Sequence, residues 1–155
     1  MLHNLTKKPL ASMDIEEALT DEQIIACYEA IVELRPHIKS ESELVTKVKL
    51  QNEIGYRLMY IKDKETGKVA SICGFRITYY LFSGKTLYID DVCTLPFARG
   101  RGHGRALMNW TVELAKNENC DVVSLDSGYT RHAAHRLYLN SGFDLNSHHF
   151  AMKLK

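Results

Sequence analysis

The chain has 155 residues, 45% hydrophobic and 25% charged, and its 20 Lys and Arg against 19 Asp and Glu leave a formal net charge of +1 at pH 7. That length suits a single domain, residues 1–155, with a sizeable core, and the composition is that of an ordinary soluble globular chain. Near-neutrality argues against a nucleic-acid or anionic-membrane partner. Cys27, Cys73, Cys93 and Cys120 form no Cys-x-x-Cys pair, and no apolar run reaches signal or membrane-spanning length, so a reduced, cytoplasmic chain is expected.

In chain order, residues 1–11 read as a lead-in and 12–19 as a weakly patterned first strand. Thr20-x-x-Gln23 is a capping box, which predicts a helix with Ile24, Ile25, Tyr28, Ile31 and Val32 on its inner face, closed by Pro36. Ser40-x-x-Glu43 predicts a second, shorter helix through Leu44, Val45 and Val48 to Gly55. Neither helix carries recognisable chemistry. Residues 56–63 and 69–82 read as strands joined by a tight turn ending at Gly67, and Ser83-Gly84-Lys85 leads into a third antiparallel strand.

That third strand opens the most informative stretch. Tyr88, Ile89, Val92, Cys93 and Thr94 suit a strand, and Pro96 cannot continue its ladder. A helix follows from about Gly102, with Leu107, Met108, Val112, Leu114 and Ala115 on its buried face. Between them, Gly100, Gly102 and Gly104 alternate with Arg99, Arg101, His103 and Arg105. Glycines allow backbone N–H groups to turn inward, and a helix N-terminus adds unpaired donors and partial positive charge, so the turn is a cradle for a phosphate or pyrophosphate. Arginines are unfavourable at that end of a helix unless an anion joins them. The Gly-x-Gly-x-x-Gly dinucleotide spacing fails at Arg105 or Leu107, and a phosphate loop's Gly-Lys-Ser/Thr ending is absent.

Residues 121–126 then read as a strand parallel to the third, 131–140 as a helix ending at Gly142, and the alternating 149–154 as a last strand.

Arg99-x-x-Gly102-x-Gly104 resembles the Arg/Gln-x-x-Gly-x-Gly/Ala signature of the GNAT acetyltransferase superfamily, and Ala134-x-x-x-Tyr138 followed by Gly142-Phe143 is similar to that family's later helix. The resemblance runs clearly from about Tyr56 to Leu154. It implies an α/β (α+β) domain with a mixed, mainly antiparallel sheet of six to seven strands and about four helices. It also implies acetyl-CoA as cosubstrate, with no metal, a small-molecule primary amine as acceptor and a homodimer. The cofactor's pyrophosphate would lie on residues 99–105, and its pantetheine arm would pair with main-chain groups of Val92, Cys93 and Thr94. Arg131 stands where many members have asparagine, and with Ala134 it is expected beside the cofactor.

Acetyl transfer to an amine needs a group that accepts the ammonium proton, whose reference pKa is about 10.4. Tyr88-x-Asp90-Asp91 resembles the strand of diamine acetyltransferases and implies Asp90 as base, with Asp91 its supporter or an arginine's partner. Adjacent strand residues point to opposite faces, so only one of the two is expected to face the acetyl group. Tyr138 is the expected hydrogen-bond donor to the departing thiolate. Residues 131–138 and 147–150 also look like aminoalkylphosphonate acetyltransferases. Cys93 leaves a covalent route open, His132, His135, His148 and His149 a zinc site, and the basic turn a nucleic-acid surface. A non-catalytic acyl-CoA-binding module and a protein N-terminal or lysine acetyltransferase are the functional alternatives.

Overall fold

The computed structural model describes residues 13–155. The lead-in and Ser12, at the start of the expected first strand, lie outside them. The described part of that strand, β1, is Ile15–Glu17, and β2 (Arg57–Lys62), β3 (Val69–Tyr80), β4 (Gly84–Thr94) and β5 (Val122–Leu125) follow. They form one sheet in chain order, β1 to β5, antiparallel except for the β4–β5 pair, which is parallel as expected.

Among the described residues the sheet holds five strands where six to seven were expected. The alternating 149–154 forms no strand, and Phe150, Met152 and Leu154 are exposed. Alternation makes a strand only where a neighbouring edge receives it, and none does so among the described residues.

Five α-helices stand among the described residues where about four were expected, because the first is split. α1 (Asp21–Ala26) and α2 (Tyr28–Leu34) meet at Cys27, whose N–H donates to the Ile24 carbonyl while its thiol donates to the Gln23 carbonyl. The Thr20 capping box forms in both directions. At α3 (Glu41–Asn52), Ser40 caps the Glu43 N–H, but the Glu43 carboxylate accepts from Lys39 rather than Ser40. A 3-10 turn, Pro96–Ala98, joins β4 to α4 (His103–Asn117), and α5 (His132–Asn140) follows β5.

Helices cover both faces of the sheet. On one, Ile24, Ala30, Ile31, Leu44 and Val48 pack against Leu58, Tyr60, Ile72 and Cys93. On the other, Leu107, Met108 and Ala115 of α4 pack against Met59, Phe75, Leu87 and Ile89, with Tyr138 and Phe143 at the margin. Among the described residues no helix is long and apolar enough to cross a membrane.

Candidate active site

The site begins where the sheet parts. β4 pairs with β3 as far as Thr94, but its parallel ladder with β5 ends at Ile89 opposite Leu125. Beyond that pair β4 keeps only β3 beside it, so its other edge is open to another extended chain. The gap is a cavity lined by Ile89, Asp90, Asp91 and Val92 of β4, by Leu125, Asp126, Ser127 and Gly128 at the end of β5, and by Arg131, Ala134 and Tyr138 of α5. Six residues expected from the sequence are thereby brought together: Asp90, Asp91, Val92, Arg131, Ala134 and Tyr138.

The expectation that Asp90 and Asp91 face opposite ways is overturned by a β-bulge. Gly74 is opposite Asp91 and Phe75 opposite Ile89, leaving Asp90 as the extra residue of β4. An extra residue breaks alternation, and both carboxylates turn to the side of α2 and α3. There they line a second cavity of about 450 Å³ with Arg35, His37, Lys47, Gln51, Tyr56 and Tyr88. The two cavities meet at Arg35, Asp90 and Asp91.

Each carboxylate is held by a guanidinium. Arg76 donates from Nε and Nη2 to the two oxygens of Asp90 at 3.0 and 2.9 Å, and its Nη2 also donates to Gln51 Oε1 at 2.9 Å. Arg35 donates from Nε to Asp91 Oδ1 at 2.9 Å and from Nη2 to the Asp90 carbonyl at 2.9 Å, so it grips both the side chain and the backbone of the bulge. The Tyr56 hydroxyl donates to Asp91 Oδ2 at 2.9 Å. Burial raises the pKa of Asp90 against the opposing pull of Arg76. Burial likewise raises Tyr138, and it raises Tyr56 well above the phenol range with the help of Asp91, so both phenols keep their protons near neutrality.

Sequence reasoning missed Arg35, Gln51, Tyr56 and Arg76 and read the first helices as free of chemistry. No local motif marks these residues, since Arg35 and Tyr56 are 56 and 35 positions from Asp91. Gly74 was also missed. It lies opposite Asp91, and a Cβ there would overlap the Tyr56 phenol.

The cradle has the backbone that its glycines allow. Gly100 and Gly102 sit at φ +76° and +88°, and Gly102 is the N-cap of α4 with no side chain capping the helix. Gly104 is where α4 meets α5, since a Cβ would come within 3.0 Å of Leu137. The His103 ring is buried, its Nδ1 3.2 Å from the Ala98 carbonyl. Arg99 bonds the Thr94 carbonyl and Glu33, Arg101 pairs with Asp63 at 3.2 Å, and Arg105 is exposed. These pairs are partly solvated and weak, so a phosphate can compete for the guanidinium groups.

Cys93 is buried on the core face toward α1–α3, and burial raises its pKa, which keeps the thiol protonated. The Thr94 hydroxyl lies 2.8 Å from Ser71 Oγ. His135 bonds the Gly128 carbonyl, His148 the Tyr129 hydroxyl, and His149 lies 3.5 Å from Asp126.

A splayed parallel strand pair leading into a glycine cradle and a helix defines a group-transfer architecture. The chain belongs to the acetyltransferase (GNAT) family, whose model matches residues 21–143, and it is an acetyltransferase. It is 26% identical over 137 residues to an uncharacterized N-acetyltransferase, YhdJ, of Bacillus subtilis, covering 88% of this chain and 95% of that one. It is also 26% identical over 105 residues to an aminoalkylphosphonate N-acetyltransferase of Salmonella typhimurium, covering 68% and 66%. Among solved structures, an acetyltransferase of Trypanosoma brucei shares the fold with a TM-score of 0.77 at 21% identity, covering 92% of this chain and 99% of that one.

Proposed function

We propose that this single-domain enzyme transfers acetyl from acetyl-CoA to the primary amine of a small molecule by direct attack in a ternary complex. The observation that carries the reading is the meeting of two cavities at one bulge. One runs between β4, β5 and α5, the other opens toward α2 and α3, and Asp90 and Asp91 stand at the junction.

The residues present fit the cofactor. Ser127 Oγ, which lines the first cavity, is a buried polar atom without a hydrogen-bond partner, and such atoms normally have one. The open edge of β4 at Val92, Cys93 and Thr94 suits a pantetheine arm paired as an added strand. The turn from Arg99 to Arg105, with its uncapped helix N-terminus, suits the pyrophosphate. Arg131 and Ala134 line the wall opposite β4. When bound, acetyl-CoA supplies an activated acyl group and a thiolate leaving group.

The chain's own residues supply the rest. An ammonium entering from the larger cavity is drawn to the carboxylate pair, and Asp90 takes its proton. Burial raises the proton affinity of Asp90, which suits a base better than an ordinary carboxylate does. Arg76 fixes its orientation, while Asp91, tied to Arg35 and Tyr56, supports the bulge. A β4 main-chain N–H near Val92 steadies the developing oxyanion. The Tyr138 phenol, protonated and on the cavity wall, hydrogen-bonds the departing sulfur. Its reference pKa of about 10 lies above a thiol's 8.5, so a hydrogen bond describes this better than full proton transfer. The covalent route through Cys93 is disfavoured by the burial of its thiol on the core side.

Arg35, His37 and Lys47 around the larger cavity suit an acceptor that carries an anion beside its amine, as does the aminoalkylphosphonate for which one relative is named. The test is a thiol-release assay with acetyl-CoA across polyamines, aminoalkylphosphonates, amino acids and lysine peptides. Thiol release with at least one small amine is expected. It should fall at least tenfold in Tyr138→Phe, and release with peptides alone would overturn the small-molecule assignment.

A further inference from the structure

The larger cavity has most of its hydrogen-bond donors committed to the protein itself. The Tyr56 hydroxyl donates to Asp91, and the Tyr88 hydroxyl donates to Asp126. Arg35 gives Nε and Nη2 to the bulge, which leaves Nη1. Lys47 pairs with Glu43 at 3.3 Å at the exposed rim, where His37 is exposed as well.

Gln51 of α3 is different. Arg76 Nη2 donates to its Oε1 at 2.9 Å, and a guanidinium can only donate. That contact settles which way the amide points, with the oxygen toward Arg76 and the NH2 group away from it. Among the described residues this NH2 has no hydrogen-bond partner, and the one sealed side-chain atom without a partner is Ser127 Oγ. The Gln51 NH2 is therefore open to the cavity that the residue lines. The same Arg76 Nη2 holds Asp90 Oδ1 at 2.9 Å, and its guanidinium stands over the Tyr56 ring, 5.7 Å from the centre. One pinned guanidinium thus fixes Gln51 and Asp90 relative to each other.

We propose that Gln51 is a specificity-determining residue, its amide N–H donating to an oxygen of the acceptor's anionic group, a phosphonate, phosphate or carboxylate, while the amine lies at Asp90. This rests on the reading of the larger cavity as the acceptor's site, and it adds the residue that chooses the acceptor. The exposed cations at the rim attract any anion through solvent, so they steer more than they select. A half-buried donor of fixed polarity selects, because an acceptor without an oxygen at that point leaves it unpaired. A polyamine offers only ammonium groups there, and these have no lone pair for an amide N–H.

The test is thiol release from acetyl-CoA with aminoethylphosphonate and putrescine as probes, in the natural chain, Gln51→Glu and Gln51→Met. Gln51→Glu keeps an oxygen for Arg76 and turns the donor into a negative acceptor, while Gln51→Met removes the donor and adds no charge. Thermal melts check that both variants stay folded. Aminoethylphosphonate should be the better acceptor for the natural chain. Its KM should rise about tenfold or more in both variants, the effect of losing a hydrogen bond to a charged group. In Gln51→Glu its kcat should stay within about threefold of the natural value, since Asp90 keeps its guanidinium. Use of putrescine should stay level in Gln51→Met and improve in Gln51→Glu. An unchanged KM for aminoethylphosphonate, an equal loss with both amines, or a natural preference for putrescine would overturn the proposal and leave the acetyltransferase reading standing. A natural chain that releases thiol with no small amine would overturn both together.

Discussion

A methyl group at position 74 would occupy the space of the Tyr56 phenol. Gly74→Ala should therefore push Tyr56 off Asp91, leaving a half-buried carboxylate short of a donor and costing about 1–3 kcal/mol. Thermal or denaturant unfolding measures this, and adding Tyr56→Phe should then cost little more, because the bond is already lost. Asp90 carries a second expectation. Its pKa is raised by burial, so the carboxylate form that accepts a proton is lost as pH falls through a value above the usual 3.9 or so. The rate should fall along that acid limb, measured as kcat/KM against pH. Asp90→Asn should lower kcat by roughly 10²–10⁴-fold and abolish the limb with acetyl-CoA affinity retained; a limb that persists would move the base to Asp91. Asp90, Asp91 and Tyr138, which line one cavity, stood out in the sequence because short motifs carry them. Arg35, Arg76, Tyr56 and Gly74 did not, since only the paired register of β3 with β4 and the docking of α2 bring them to the carboxylates. The bulge was illegible for the same reason, as an extra residue has meaning only against the strand opposite it.

Elements with strong local chemistry were read closely. The Thr20 box does open α1, and β5 does run parallel to β4. The break at Cys27 escaped because the apolar pattern continues through it, while the thiol takes a carbonyl that a regular helix would have used. The strand–cradle–helix unit makes the clearest test at this scale. Gly102 holds a left-handed backbone at φ +88° as the N-cap of α4, a conformation that costs an ordinary L-residue about 1–2 kcal/mol. If the turn holds the pyrophosphate as proposed, Gly102→Ala should weaken acetyl-CoA binding several-fold, read by calorimetry, by disturbing the N–H groups of the turn. Thr20→Ala is the matching control. It removes a cap remote from the cradle and should cost about 1 kcal/mol of stability while leaving that affinity unchanged.

At the scale of the molecule, net charge conceals where charge is placed. The chain totals +1, yet three arginines crowd one turn at the head of α4, two of them already leaning on Glu33 and Asp63. A polyanion seated there replaces weak, solvated pairs with charge-assisted bonds to main chain and guanidinium together. It also ties β4, the 3-10 turn and α4 into one unit. Binding of that kind stabilises the folded chain by mass action, about 2.7 kcal/mol at 100 times the dissociation constant. For a domain of this size, that is a rise of roughly 5–10 °C in Tm. A thermal melt should show this rise with acetyl-CoA, a reduced rise at high salt because the arginines are exposed, and a smaller rise with NADH or ATP. The comparison separates recognition of the whole cofactor from simple affinity for phosphate. NADH and ATP carry a pyrophosphate but no pantetheine to pair with the open edge of β4, so equal shifts would mean that the splayed strands take no part in binding.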